Sequence, residues 1–206
     1  MKPLQKITFI LIVLCFVSCK RNENEDAFIF ENVRFENMDE LNIKDAIENE
    51  EELGSTERTE NITFALDSGY YPNKNGFELA YPKVFERNQK ELGLETDYFY
   101  SSNDGLIKVI FYEWKSKYWN LNGFESDTLK KIDISEIKIY RKKFNNLKEG
   151  IVNKLGKATQ IKIEKHNDTI FNYIDNYEWK KDDLNVSLSI YYSDSHNEIR
   201  LVIHKK

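Results

Sequence analysis

The second half of the chain carries two hydrophobic periods in succession, and together they constrain the fold more than any other feature. Apolar residues first recur at steps of three and four, which predicts one buried face of an α-helix of about twenty residues. Residues 184–192 then alternate between apolar and polar side chains, as a strand buried on one face does. A helix with one apolar stripe and a sheet with one apolar face are expected to cover each other. The helical stripe consists of Ile137, Tyr140, Phe144, Leu147, Ile151 and Leu155.

Four strand-like runs follow this helix, and the connections between them are short. Short turns between consecutive strands predict an antiparallel meander. The sequence therefore predicts the α+β class, with antiparallel β-meander sheets that are each covered by helices. The four runs are residues 158–165, 169–180, 184–192 and 198–204.

The four-residue word Tyr-Glu-Trp-Lys occurs twice, at residues 112–115 and 177–180. In an extended strand its Tyr and Trp point to one face, and its Glu and Lys point to the other. A shared order of landmarks favours two tandem copies of a helix-plus-hairpin unit, residues 77–132 and 133–206. Convergence between two half-buried strands is the alternative. The landmarks are a Leu-Gly pair and then an Asn-Asp pair, at 92–93 and 103–104 before the first word and at 155–156 and 167–168 before the second.

The first half of the chain has less regular patterns, and its elements are predicted from shorter signals. Pro82 stands where a helix can begin, and a short helix is predicted from there to Gly93. The other expectations are a strand over residues 28–35, an acidic helix over 38–53, a strand over 62–66, a loop over 69–76, and strands over 95–102 and 106–115.

The N-terminus has the pattern of an export signal. Lys2 and Lys6 make the first six residues positively charged, and a predominantly apolar run follows over residues 7–17. This run suits the hydrophobic region of a secretory signal and is short for a membrane-spanning helix, which needs about 20 apolar residues. It ends at residues 16–19, Phe-Val-Ser-Cys, which resemble the lipobox of bacterial lipoproteins, with Phe16 where the family usually has Leu. An uncleaved anchor and an ordinary signal cut elsewhere are the alternatives.

The resemblance to lipoproteins implies how the chain is divided and where in the cell it is located. Residues 1–18 would be the signal peptide, Cys19 would carry acyl chains such as palmitate, residues 19–27 would be a flexible tether, and residues 28–206 would form the globular region. Loss of residues 1–18 would leave 28 Lys and Arg against 35 Asp and Glu, a formal charge of −7. Lys20 replaces the Asp that often marks inner-membrane retention in this class, which favours the outer membrane. The abundance of Asn, Lys, Ile and Tyr is similar to that of small lipoproteins from Bacteroidota.

Several classes of chemistry find no support in the sequence. The acidic balance argues against nucleic-acid partners. The three histidines, His166, His196 and His204, do not stand at a metal-binding spacing, and the sequence has no Gly-rich phosphate loop and no Gly-x-Ser-x-Gly motif. Cys19 would be the one cysteine left after processing, and lipidation would remove its thiol from catalysis. The sequence therefore predicts no cofactor, no metal and no enzymatic activity.

Aromatic residues in predicted loops supply the candidate partner-binding site. Exposed loop aromatics are favoured anchors for partners, and packing over sheet edges is the alternative. The predicted function is a membrane-anchored binding or accessory module of the cell envelope that holds a protein, or less readily a glycan. An envelope hydrolase with paired carboxylates and an immunity-type lipoprotein that neutralises a toxin are the alternatives. The candidate aromatics are Tyr70, Tyr71, Tyr118 and Trp119.

Overall fold

The computed structural model describes residues 25–59, 79–116, 134–164, 173–192 and 197–205. These residues form two α-helices, eight β-strands and two short 3-10 turns, Ala27–Phe30 and Met38–Glu40. The helices are α1 (Ile43–Glu52) and α2 (Ile134–Leu155). The strands are β1 (Thr56–Glu57), β2 (Lys83–Asn88), β3 (Gly93–Tyr100), β4 (Ile107–Lys115), β5 (Gln160–Glu164), β6 (Tyr173–Lys181), β7 (Leu184–Tyr192) and β8 (Asn197–Lys205).

All eight strands belong to one antiparallel sheet. The strand order is β1-β2-β3-β4-β8-β7-β6-β5, so β4 and β8 pair in the middle and β1 and β5 lie at the edges. The α+β class and the antiparallel meander are confirmed. The strands form one continuous sheet, where the sequence had predicted separate sheets, because β4 pairs with β8 across the two halves of the chain.

Both described helices pack on the same face of this sheet. The predicted stripe of α2 is confirmed, since Tyr140, Phe144, Leu147 and Ile151 are all buried in the main core. Gly150 of α2 lies against the ring of Phe30, and a methyl group at position 150 would collide with that ring. This contact explains why a residue that weakens helices stands inside α2.

The N-terminal segment differs from its prediction. Residues 28–35 were predicted to form a strand, and they form a 3-10 turn followed by other turns. The prediction is wrong because the neighbouring residues Phe28 and Ile29 are both buried in one core, which a strand with alternating faces does not achieve. The acidic helix predicted over 38–53 is confirmed in part, as α1, which begins where the Asn42 side chain accepts a hydrogen bond from the Lys44 N–H at 3.0 Å.

The short helix predicted between Pro82 and Gly93 is also wrong. Residues 83–88 form strand β2, in which Val84 and Phe85 are buried on opposite faces of the sheet. Two adjacent buried residues hide the alternation that marks a strand. The proposed repeat unit 77–132 therefore contains no helix within its described residues, 79–116.

The two Tyr-Glu-Trp-Lys words lie in different places in the meander. The first lies in β4, the fourth described strand after α1, and the second lies in β6, the second described strand after α2. In both words the Tyr and Trp face the helices, as the sequence predicted, with ring centroids 6.2 Å apart in the first and 6.1 Å apart in the second. The Leu-Gly pairs at 53–54 and 155–156, by contrast, both end a helix, with φ of 74° at Gly54 and 83° at Gly156.

Candidate functional site

The second face of the sheet, opposite the helices, carries a group of charged side chains on its central strands. Side chains two residues apart in a strand share a face, and directly paired residues on neighbouring strands share it too. Glu95 of β3 therefore lies beside Glu113 of β4, and Glu113 lies beside Arg200 of β8. We call this group the ionic cluster. Its members are Glu95, Asp97, Glu113, Lys115, Glu198 and Arg200.

Glu113 is the centre of the ionic cluster. Its Oε1 accepts two hydrogen bonds from Arg200, from Nε at 2.9 Å and from Nη2 at 2.5 Å. Its Oε2 pairs with the Nζ of Lys115, which also donates to Glu95 at 3.2 Å. The Nη2 of Arg200 lies 2.9 Å from a carboxylate oxygen of Glu198. Both oxygens of Glu113 are therefore held by cations, and such charge-assisted bonds fix its position.

The surroundings move the pKa values of the two paired glutamates in opposite directions. Burial alone raises the pKa of Glu113, but Lys115 and Arg200 outweigh it, so the pKa lies below its usual value. Burial raises the pKa of Glu95 above its usual value, with Lys115 opposing this shift and Glu113 adding to it. The cluster therefore contains one carboxylate that stays ionised and one that takes up a proton more readily.

Asp97 is the most unusual member of the cluster. It is 9% exposed, and its Oδ1 is buried with no hydrogen-bond partner among the described residues. Burial raises its pKa well above the usual value, and the nearby Glu95 and Glu113 raise it further. Its directly paired neighbours in the sheet are Val84 and Phe111. A carboxyl group in such a setting costs stability unless something outside the described residues satisfies it.

A pocket of about 250 Å³ opens beside the cluster, at the end of β2, β3 and β4. Its lining carries both signs of charge, from Arg58, Arg87, Lys115, Glu86, Glu95 and Glu113. Asp97 and Arg200 do not line it. The pocket can therefore hold a small polar or charged group, and Asp97 lies outside it.

Apolar and polar areas border the ionic cluster on the same face. Phe99, Val109 and Val202 form a small separate apolar group on one side. On the side of β6 and β7, the Ser189 hydroxyl donates to the Asn176 side-chain oxygen at 3.0 Å. The guanidinium of Arg200 lies 5.7 Å from the ring centroid of Tyr191. Because Phe99, Val109 and Val202 are buried, they belong to the interior of this face, and its accessible part is polar and charged.

The site residues that the sequence predicted are not the ones that the fold brings together. Tyr70, Tyr71, Tyr118, Trp119 and the lipidation site Cys19 lie outside the described residues, as do the strand predicted over 62–66 and the loop over 69–76. These expectations remain predictions.

Sequence reasoning missed the ionic cluster, although part of its signal was present. The first Tyr-Glu-Trp-Lys word supplies Glu113 and Lys115, and their predicted position on the face opposite Tyr112 and Trp114 is confirmed. The pairing of Glu113 with Arg200, 87 residues away, depends on the β4–β8 contact, which nothing in the local sequence indicates.

Within the described ranges, no group of three or more His, Cys, Asp or Glu is arranged to hold a metal ion. No helix in the described part of the chain has the length and apolar content to cross a membrane. Comparisons with protein-family models, with curated proteins and with solved structures found no match. The geometry of the second sheet face is therefore the feature that bears on function.

Proposed function

We propose that this chain is a membrane-anchored, non-catalytic binding module of the bacterial cell envelope, and that it holds a protein partner against the ionic cluster. The observation that carries the proposal is Asp97, whose buried Oδ1 has no hydrogen-bond partner among the described residues. Buried polar atoms are almost always satisfied, and exceptions need an explanation. A donor supplied by a partner is such an explanation.

The charge of the cluster supports a basic side chain on the partner. The cluster has four carboxyl groups and two cations, and the pKa of Asp97 is raised by burial and by Glu95 and Glu113. Because the Oδ1 of Asp97 is buried, a Lys or Arg of the partner would reach it after the side chains over it move, and would then favour its ionised form and satisfy its oxygen. The apolar group beside the cluster is itself buried, so it excludes water only on the inner side of this contact.

An envelope hydrolase is the second candidate, and one observation favours it. Glu95, with its raised pKa, and Glu113, with its lowered pKa, both line the pocket of about 250 Å³. Such a pair has the pattern of a general acid and a base. Both oxygens of Glu113 are already bonded to Arg200 and Lys115, which leaves it poorly placed to act as a base. Binding is therefore the first proposal.

The test compares partner capture by three forms of the full-length chain. We expect the wild type to capture a specific protein from detergent-solubilised envelopes, the Asp97→Asn variant to lose it, and capture to weaken as salt is added. Asp104→Asn is the matched control, because Asp104 lies at an exposed turn before β4. Equal capture by the wild type and Asp97→Asn would reject the proposed site. Hydrolysis of an envelope glycan that is lost in both Glu95→Gln and Glu113→Gln would favour the enzyme instead.

The proposed location is the periplasmic or external side of the envelope, with the outer membrane favoured and Cys19 as the acyl-bearing residue. The last residues of the tether support a short link between the lipid and the domain. Asp26 pairs with Lys143 of α2 at 2.7 Å and accepts a hydrogen bond from Gln89 at 2.9 Å. The tether would therefore join the body of the domain by residue 25 or 26.

The finer proposal for the fold keeps the two predicted tandem units but moves the start of the first from residue 77 to helix α1, and joins the two through the β4–β8 pair. It is supported by the common order of one helix, a Leu-Gly end and four described strands in each half of the chain. The position of the repeated word does not support it. On this proposal the ionic cluster lies where the units meet, since Glu113 and Arg200 come from different halves. The proposal requires the two halves to superpose in chain order, with α1-β1-β2-β3-β4 on α2-β5-β6-β7-β8. A failure to superpose in this order would contradict it.

A further inference from the structure

Helix α2 is strongly basic, although the chain as a whole is acidic. It has six Lys or Arg residues against two Glu, whereas α1, on the same face of the sheet, has one Lys against five Asp or Glu. The formal charge of the whole chain is −5. Four of the basic residues lie close together in the first half of α2, and we call them the basic segment. They are Lys138, Arg141, Lys142 and Lys143.

Lys138 and Lys142 form the solvent-facing side of the basic segment. Both are exposed, and neither forms an ion pair with a carboxylate among the described residues. They stand four positions apart, so their ammonium groups are neighbours on one face of the helix, and a like-charge pair at this spacing weakens a helix. A negatively charged surface placed over this face would offset their repulsion.

The N-terminal tether joins the domain beside the same segment. The carboxylate of Asp26 pairs with the Nζ of Lys143 at 2.7 Å. A helix rises about 1.5 Å per residue, so Lys138 and Lys142 lie within about 8 Å of Lys143 along the axis. Asp26 stands seven residues after Cys19, and seven residues span at most about 25 Å. A lipid on Cys19 would therefore hold the basic segment within reach of the membrane surface.

We propose that the basic segment of α2 rests on the anionic headgroups of the membrane that holds the lipid anchor. This inference rests on the proposed acylation of Cys19. Each Lys or Arg close to an anionic lipid surface strengthens binding about fivefold, so two exposed lysines give a weak contact. The weak contact is sufficient because the anchor keeps the domain at the surface.

The charges of the two helices determine which part of the helix layer faces the bilayer. The acidic α1 is repelled by anionic headgroups, whereas the basic segment is attracted to them. An acidic protein is the other occupant that the charge permits. The short tether favours the lipid, because the anchor places headgroups beside the basic segment in every molecule.

This orientation is compatible with partner binding at the ionic cluster. Helix α2 packs on one face of the sheet, and the ionic cluster lies on the other face. A domain that rests on α2 therefore turns the ionic cluster away from the bilayer. The soluble part of a protein partner can approach the cluster from that side.

Lysine modification of the full-length chain tests the contact. The chain is reconstituted into vesicles of phosphatidylcholine alone or mixed with phosphatidylglycerol, and is treated briefly with a water-soluble amine reagent. Lys138 and Lys142 are expected to react at least about threefold more slowly in the anionic vesicles. This protection should disappear in 1 M salt, where the Debye length is about 3 Å. Lys44, exposed on the acidic α1, is the matched control and should react equally in both vesicles.

Charge reversal tests whether the basic segment makes the contact. Lys142→Glu is expected to return the reactivity of Lys138 in anionic vesicles to its level in uncharged vesicles, whereas the control Lys44→Glu leaves Lys138 protected. Equal reactivity of Lys138 in the two vesicles, or unchanged protection in Lys142→Glu, would overturn the proposal. Protection in native envelopes that is absent from protein-free vesicles would assign the segment to an acidic protein, and would overturn it too.

The anchor, the membrane contact and the partner site have separate readouts. Fatty-acid labelling of the same preparation reports whether Cys19 is acylated. A chain without the label would overturn both the anchor and the contact, whereas an acylated chain without protection of Lys138 would overturn the contact alone. Partner capture through Asp97 is measured in detergent, so its outcome does not depend on the contact with the bilayer.

Discussion

Asp97 shows how one residue can oppose the stability of the sheet that contains it. Its carboxyl group is nine-tenths buried, faces Val84 and Phe111 across two ladders, and shares its surroundings with Glu95 and Glu113. Each of these factors disfavours the ionised form. Residues that reduce the stability of the fold in this way are expected at functional sites, because they are retained for binding and not for folding.

The pKa of Asp97 leads to a prediction about stability and pH. Because the pKa is raised in the folded chain, the folded state keeps a proton that the unfolded state releases. Stability therefore falls as pH rises from the unfolded value, near 3.8, through the higher folded value. Asp97→Asn removes this loss, and we expect the variant to be more stable than the wild type at pH 8, by about 1–3 kcal/mol. Urea unfolding at pH 4, 6 and 8 measures the difference, which should shrink towards pH 4.

Asp104→Asn is the control for this measurement. Asp104 is exposed, and its pKa lies below the usual value because its side chain accepts the Leu106 N–H at 2.9 Å. A carboxyl group whose pKa is lowered by folding stabilises the folded state at pH values above its unfolded pKa, whereas Asp97 destabilises the folded state there. The Asp104→Asn variant should therefore not gain stability at pH 8. A gain from Asp97→Asn that is the same at pH 4 and pH 8 would contradict the assignment.

At the scale of elements, the second half of the chain was predictable and the first half only in part, since β3 and β4 were predicted and β2 was not. Helix α2 and strands β6, β7 and β8 follow their sequence periods because apolar side chains recur on one face and mostly polar ones on the other. The second faces of β7 and β8 are nevertheless largely buried, as Asn185, Ser189 and Val202 show. In β2, Val84 and Phe85 are apolar residues on opposite faces, so the period disappears. The boundary between predictable and unpredictable elements therefore follows the polarity of the second face.

The position of α1 depends on a buried polar network that the sequence could not indicate. The helix has several glutamates, and the fold buries one of them, Glu50, at 0% exposure. Tyr98 donates to Glu50 at 2.7 Å, Ser55 donates to it at 2.5 Å, and Arg34 lies 3.5 Å from it. This network joins α1 to β3 and to the N-terminal segment.

Glu50→Gln is expected to destabilise the fold by about 3 kcal/mol, because it removes the buried counter-charge of Arg34 and Arg87 and leaves Arg34 only the exposed Glu31 at 3.7 Å. The matched control is Glu51→Gln, one residue further along α1 and exposed, where a change within about 0.5 kcal/mol is expected. Thermal or urea unfolding at pH 7 measures both. Equal effects of the two variants would mean that the network does not stabilise α1.

At the scale of the whole molecule, the candidate site depends on a contact between distant parts of the sequence. Glu95 and Glu113 come from the first half and Arg200 comes from the second, and the β4–β8 pair brings them together. Local periods predicted β3, β4 and the four strands of the second half, but gave no information about which strands become neighbours. The class of the fold could therefore be predicted from the sequence, whereas the place of the ionic cluster could not.

The proposed lipid anchor would set how far this site can lie from a membrane. Glu25 accepts the Lys90 N–H at 3.0 Å, so the described contacts with the body of the domain begin six residues after Cys19. Six residues span at most about 20 Å. If Cys19 carries the lipid, the domain is held close to the membrane surface, where a partner in the same membrane lies within reach.

Metabolic labelling with a fatty acid tests this arrangement. We expect the wild-type chain to incorporate the acyl label and Cys19→Ala to lose it, because the thiol of Cys19 is the proposed attachment point. Cys15→Ala is the matched control, since it removes the other cysteine of the chain and should leave labelling unchanged. Equal labelling of the wild type and Cys19→Ala would reject the lipid anchor. In that case the reach of about 20 Å no longer relates the ionic cluster to a membrane, and a soluble partner becomes the better occupant.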